Sequence, residues 1–264
     1  MPIQKTEAIV LRRRKQGETS KILSVYTRQY GRMSVVAKGS RSIKSHYLGV
    51  LEPLNHIQLV FYRKDTRDIQ YASQAEIIHH FPNIHAELGK MALASIICEI
   101  IEKTEERDHE NTRLFLLILE SFAALEKSST GLLNIIRSFE LKYLDLAGLK
   151  PNLNSCANCE KTAASPANTF SMEKGCYSCS DCGRLSESNV EISGRAIEFM
   201  RWFFKVPVAD STKALVGAAV GKEIDNFLMA FMRYHIDGLY DLLTYSYLEK
   251  LKVSLRNNEQ QNDH

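Results

Sequence analysis

Five of the six cysteines in this 264-residue chain fall between positions 156 and 182, at Cys156, Cys159, Cys176, Cys179 and Cys182. Two Cys-x-x-Cys turns, Cys156-Ala-Asn-Cys159 and Cys179-Ser-Asp-Cys182, can each aim two sulfurs at one point. With 19 residues between them, this is the spacing of a structural zinc site, where four thiolates close a tetrahedron around one ion. A disulfide framework fits poorly with an odd local number of cysteines in a chain expected in a reducing compartment. A redox dithiol needs a single Cys-x-x-Cys at a helix start after a strand, not two paired turns. Cys176 also stands three residues before Cys179, so the second ligand pair reads either as Cys176 and Cys179 or as Cys179 and Cys182. Gly183 favours the second choice, because glycine frees the backbone to turn its N–H groups toward sulfur, and Cys176 then becomes a bystander. Cys98, inside an Ile-rich helical segment, reads as a small buried hydrophobe.

Catalytic signatures are missing from the sequence. It has no Gly-x-x-x-x-Gly-Lys-Ser/Thr loop, no Gly-x-Ser-x-Gly elbow and no His-Glu-x-x-His pair. His79-His80 reads as a strand-to-helix junction. A zinc held by four thiolates keeps no position open for water, so the cysteines point to folding and not to hydrolysis.

A second chemistry lies in the basic residues. The net charge of +3 hides an asymmetry: residues 1–80 hold 14 Lys and Arg against 6 Asp and Glu, a net of +8, while the remainder holds 20 against 25, a net of −5. No acid occurs between Glu18 and Glu52, whereas Arg12, Arg13, Arg14 and Lys15 precede that stretch and Lys21, Arg32, Lys38, Arg41 and Lys44 lie within it. A surface shaped only for solubility mixes both signs, so a polyanion partner is expected for the first unit. The segment Lys38-Gly39-Ser40-Arg41-Ser42-Ile43-Lys44 carries cations at three-residue steps among small residues that free N–H and O–H donors for phosphate oxygens. No helix offers a base-reading set of side chains, so binding is expected to depend on salt more than on sequence.

The elements that must hold these residues follow from the hydrophobic pattern. Residues 4–13, 21–27, 32–38, 57–62 and 68–75 read as five short strands, separated by turn signals such as Gln16-Gly17 and Lys38-Gly39-Ser40. Five strands suit a small closed barrel of the OB type, whereas a sandwich needs about seven. Such barrels take single strands in a basic groove with stacking aromatics, for which Tyr26, Tyr30, Tyr47, Phe61, Tyr62 and Tyr71 are candidates, although aromatics in strands more often fill cores. After Pro82 the apolar spacing becomes helical, over residues 84–101, 111–126, 131–147, 195–205 and 222–251. Gly148 ends the third stretch and Ser193 caps the fourth. The expected class is α+β, multidomain: an N-terminal OB-fold β-barrel over 1–80, a helical bundle domain built from 81–150 and 190–253, an inserted four-cysteine zinc-binding element over 151–189, and a polar tail over 254–264. The longest apolar run, Leu114 to Leu119, is too short for a membrane span of about 20 residues. The first residues lack the apolar stretch of a secretory leader, so a cytoplasmic location is expected.

The residues also carry a family resemblance. Thr6-Glu7-Ala8-Ile9-Val10-Leu11, Gly17-Glu18-Thr19-Ser20-Lys21-Ile22-Leu23, Tyr26-Thr27 with Gly31, Val36-Ala37-Lys38-Gly39-Ser40-Arg41 and Leu51-Glu52-Pro53-Leu54 resemble the N-terminal region of the RecO DNA repair and recombination mediators. Tyr143-Leu144-Asp145-Leu146-Ala147-Gly148-Leu149-Lys150-Pro151, leading into the four cysteines, is similar to the same family's helix-to-zinc junction. The likeness covers residues 1–185 in order and departs from the family at Gly175-Cys176, where paired glycines are usual. It implies no enzymatic activity but binding of single- and double-stranded DNA, annealing of complementary strands, and work with RecR and the C-terminal tail of the single-strand-binding protein (SSB) to help load RecA, in a nucleoid-associated setting. Lys38, Gly39, Arg41 and Lys44 fall in the family's basic loop, and Cys156, Cys159, Cys179 and Cys182 on its zinc positions. Because some members lack the cysteines, one structural Zn²⁺ is implied to serve the fold and not annealing. Two other readings compete: a zinc-ribbon, OB-fold factor that binds RNA or the ribosome, and a helical scaffold whose basic barrel only keeps it soluble.

Overall fold

The computed structural model of the protein describes residues 2–42, 45–162, 168–183 and 188–239. These residues form two compact units, one running up to Phe122 and the other beginning at Ala123. Lys44, the polar tail and the last part of the 222–251 helical stretch lie outside the described residues.

In the first unit, β1 (Ile3–Gln16), β2 (Ser20–Thr27), β3 (Gly31–Ala37), β4 (His56–Tyr62) and β5 (Ile69–His79) close a barrel in the order β1-β2-β3-β5-β4. All pairings are antiparallel except β3 with β5. This is the five-stranded OB-type topology. Strict alternation in β3, with Met33, Val35 and Ala37 buried, sends one face inward. Those residues meet Ala8, Val10, Leu23, Val25, Leu59 and Phe61 in the barrel core.

A bulge in β1 decides where the arginines go. Val10 pairs with Val25 but Arg12 pairs with Ser24, so Leu11 is the extra residue. Side chains alternate with a period of two, and without the bulge Arg12 and Arg14 would continue the inward row of Ala8 and Val10. The slip instead sets Arg12 beside Ser24 and Arg14 beside Ile22 on the outer wall. β1 also runs on to Gln16, past the 4–13 read from the sequence, because the cationic residues pair along β2 as a hairpin tipped by Gly17.

Helices α1 (Pro82–Ala86), α2 (Leu88–Thr104) and α3 (Thr112–Lys127) follow, and the division between the units falls within α3. His79 is the last residue of β5, which sets the two histidines at the strand-to-helix junction. The loop after α2 lies directly on β3. Asp108 N–H donates to the Arg32 carbonyl at 3.1 Å, the Arg32 Nε donates to the Glu105 carbonyl at 2.7 Å, and Arg32 and Arg107 form a parallel bridge. Gly31 permits the approach: its φ is +61°, and a Cβ there would stand 2.0 Å from the His109 carbonyl oxygen.

In the second unit, α4 (Leu132–Leu146), α5 (Gly194–Lys205) and α6 (Ala218–His235) pack together. Ser193 caps α5 by accepting from Ala196 N–H at 3.2 Å. Arg137 on α4 grips Asp225 on α6 with two hydrogen bonds of 2.8 and 3.2 Å. Between α4 and α5 a three-stranded sheet has the order β7-β6-β8, from β6 (Asn168–Ser171), β7 (Cys176–Cys179) and β8 (Asn189–Ile192). Phe170 of β6 packs edge-on against Phe227 and Phe231 of α6. Among the described residues no helix is long and apolar enough to cross a membrane.

Candidate nucleic-acid interface and metal centre

The cysteine cluster is built by the small sheet and the loop before it. Cys156 N–H donates to the Lys161 carbonyl at 2.8 Å and Glu160 N–H to the Cys156 carbonyl at 3.0 Å, which curls the first turn. Ala157 N–H donates to the Tyr177 carbonyl at 2.9 Å, docking that turn on β7, whose last residue is Cys179. Cys182 N–H returns to the Cys179 carbonyl at 3.1 Å, and Gly183 follows with φ +72°. Arg201 on α5 donates to the Leu153 and Asn154 carbonyls and fixes the entry to the loop.

These bonds bring the sulfurs of Cys156, Cys159, Cys179 and Cys182 within 4.8 Å of one another. Four thiolates around one ion at a metal–sulfur distance of about 2.3 Å stand roughly 3.8 Å apart, and the Cys159 and Cys179 sulfurs are separated by 3.5 Å. The four cysteines can therefore hold a metal ion. Cys176, at the start of β7 opposite Ser171, is outside this group. Burial raises the Cys156 thiol, but N–H donors from Cys159, Cys179 and Asn158 outweigh it and bring its pKa to about 5. Hydrogen bonding to Cys159 and Cys179 pushes Cys182 up to about 12. A metal ion binds thiolates and not thiols, so an ion held by the four cysteines would favour their ionised forms. Cys98 is buried, and burial pushes its thiol up.

The basic residues form two connected patches on the barrel. At the hairpin tip, Arg41 N–H donates to the Thr19 carbonyl at 3.0 Å and its guanidinium to the Gly17 carbonyl at 2.7 Å, which ties the basic loop to the β1–β2 turn. Lys38 and Gly39 are exposed, and the Lys38 ammonium lies 4.9 Å from the Tyr71 ring centre, with Arg67 at 5.1 Å. Ser40 is buried and its hydroxyl donates to the Ala37 carbonyl at 2.7 Å, so it shapes the loop from within. Lys21 and Arg13 share Glu52, at 3.5 and 2.5 Å. Lys15 is exposed on the hairpin.

The second patch is a concavity of about 180 Å³ lined by Arg12, Arg13, Arg14, Arg32 and Arg107 with Ile22, Ser24, Ser34 and Glu102. Arg107 carries no sequence signal that marks it as part of this surface. It ends a charged run after α2, and only the bridge to Arg32 shows that the run folds onto the barrel. Of the candidate stacking aromatics, Tyr26, Tyr47 and Phe61 are core residues. Tyr30, Tyr62 and Tyr71 keep partly open rings, and Arg63 stands 4.6 Å from that of Tyr30.

Comparison with known proteins agrees with this architecture. Residues 1–81 match the family described as Recombination protein O N terminal, and residues 85–241 match Recombination protein O C terminal. The DNA repair protein RecO of Caldanaerobacter subterraneus subsp. tengcongensis is 30% identical over 237 residues, covering 90% of this chain and 94% of the relative. Those of Alkaliphilus metalliredigens and Pelotomaculum thermopropionicum are 28% identical (88% of this chain, 94% of the relative) and 29% identical (95% of both). With both halves matched in order, the chain belongs to the RecO family of DNA repair proteins.

Proposed function

We propose that this protein is a non-enzymatic mediator of recombinational repair that binds single- and double-stranded DNA through phosphate contacts and anneals complementary strands. The observation that carries the reading is the joined basic surface of the barrel, where Arg41 is tied to Gly17 at the hairpin tip and four further arginines from β1 and β3 line one concavity. Two complementary strands repel through their phosphates. A surface that holds both by Lys and Arg lowers that repulsion and leaves the pairing edges of the bases open. Arg12, Arg13, Arg14, Lys15, Lys21, Arg32, Lys38, Arg41 and Lys44 supply the charge, Gly39 lets the backbone approach, and Ser40 braces the loop.

In this reading the protein acts with RecR on strands covered by the single-strand-binding protein, taking up that protein's C-terminal tail and easing access of RecA, in the cytoplasm at the nucleoid. Cys156, Cys159, Cys179 and Cys182 would hold one Zn²⁺, whose contribution is to cross-link the two cysteine turns. The test is annealing of complementary oligonucleotides pre-coated with the single-strand-binding protein, with and without RecR, together with competition by structured RNA. Acceleration over the protein-free rate, and DNA preferred to RNA, are expected. No acceleration, or preference for the RNA, overturns the proposal and favours a translation-type factor.

A further inference from the structure

The arginine concavity differs from an open phosphate track. Its floor is the outer wall of the barrel, where Arg12, Ser24 and Ser34 stand in one register row and Arg14 stands beside Ile22. Its far rim comes from outside the sheet: Glu102 near the end of α2, and Arg107 in the loop held on β3. Five arginines and one carboxylate line this concavity of about 180 Å³. Glu102 accepts from the Ser24 hydroxyl. Arg13 has Glu52 as a partner and Arg107 reaches Asp68 only at 4.0 Å, while Arg12 and Arg14 have no ion pair among the described residues. The charge in the concavity is therefore well above what it contains to balance it.

We infer that this concavity is a site for a phosphate monoester, the group that ends a phosphorylated strand. An internal phosphodiester carries one negative charge and two free oxygens, and its chain must leave on both sides. A monoester carries nearly two charges and three acceptor oxygens near neutral pH and is tethered on one side only. A concavity of this volume, lined by arginines from β1, β3 and the loop after α2, matches the second ligand in charge, donor number and entry. The inference deepens the proposed DNA-binding role and rests on it: the exposed loop of Lys38 and Arg41 follows the strand, and the concavity receives its end.

The test uses the full-length protein and fluorescence anisotropy with one oligonucleotide sequence bearing a 5′-phosphate, a 3′-phosphate or hydroxyls at both ends. At least one phosphorylated form is expected to bind about fivefold more tightly than the hydroxyl-ended form, the gain of one further charge in a partly enclosed site. A nucleoside monophosphate added in excess should remove that preference, and preference for the 5′ or the 3′ form identifies which strand end is received. Arg107→Gln, and separately Arg14→Gln, should bring the ratio to about one. Lys38→Glu with Arg41→Glu should weaken all three forms and leave the ratio standing. Thermal melting of each variant checks that the barrel is intact. Equal affinity for all three oligonucleotides in the unmodified protein overturns the inference while leaving DNA binding in place. A ratio that survives Arg107→Gln and Arg14→Gln but disappears in the loop variant overturns the assignment to the concavity. Absence of salt-dependent binding by any of the three removes the underlying role itself.

Discussion

The barrel and the cysteine-bearing sheet are both small β structures, and they are held together by opposite means. The barrel closes its own edges and fills its interior with Leu23, Val25, Leu59, Phe61 and their neighbours. The sheet has three strands of four residues each, too short to enclose a core. It relies on Phe170 against α6, on the Arg201 clamp and on the four cysteines. A region that stabilises itself can devote its outer wall to a ligand, while the region that cannot is the one whose four cysteines can hold an ion.

The largest expected effect separates the two directly. Cys156→Ser, or removal of the ion by a strong chelator, should take metal content from one per chain to near zero. It should also destabilise the second unit by several kcal/mol, while affinity for single-stranded DNA changes less than twofold. Loss of DNA binding in parallel would show that the two regions are not independent. In the opposite direction, Phe61→Ala should lower barrel stability in urea by about 3–5 kcal/mol, as large-to-small changes in a packed core do, with metal content unaltered.

Smaller effects probe how the barrel wall is arranged. Gly31→Ala places a Cβ 2.0 Å from the His109 carbonyl at a φ of +61°, and should cost about 2–3 kcal/mol. Because it lifts the loop carrying Arg107, DNA affinity should fall with it, and an unchanged affinity would detach that loop from the interface. The smallest effect concerns pH. His56 is buried between Glu7 and His79, and burial holds its pKa below the usual 6.5 despite Glu7. The unfolded chain therefore binds this proton more readily. Stability is full above about pH 6.5 and falls as pH drops toward the lower folded value. His56→Gln should flatten that dependence in urea titrations across pH 5–7.

Much of this was legible in the sequence where a local rule and the tertiary result coincide. The strict alternation of β3 and the two Cys-x-x-Cys turns are patterns that sterics and ligand geometry impose on neighbouring residues, and Gly183 occurs at positive φ where the turn needs it. What escaped depends on contacts distant in sequence. The bulge at Leu11 has no signature in a run of Leu and Arg, yet it alone sets Arg12 and Arg14 on the outer wall. Arg107 belongs to a charged run whose docking depends on Gly31, far earlier in the chain. Ser40 looked like a phosphate donor by type, but its hydroxyl is used by the turn that presents Lys38 and Arg41. The helix read as one stretch over 222–251 starts earlier, at Ala218, because Gly217 and the Val208–Lys213 turn precede it, and it stops at His235, where Ile236 is extended and the chain turns through Gly238 at φ +89°.

In the proposed function the barrel holds DNA by its phosphates through the loop tied to the hairpin tip. The most direct test is the slope of log affinity against log salt for single-stranded DNA, in the unmodified protein and in Lys38→Glu with Arg41→Glu. Each lost phosphate contact removes about 0.7 from the slope for single strands. Weaker binding at every salt concentration is expected, with a slope shallower by at least about 1.4, twice that per-contact value. An unchanged slope with unchanged affinity would contradict it and place the contacts elsewhere on the molecule.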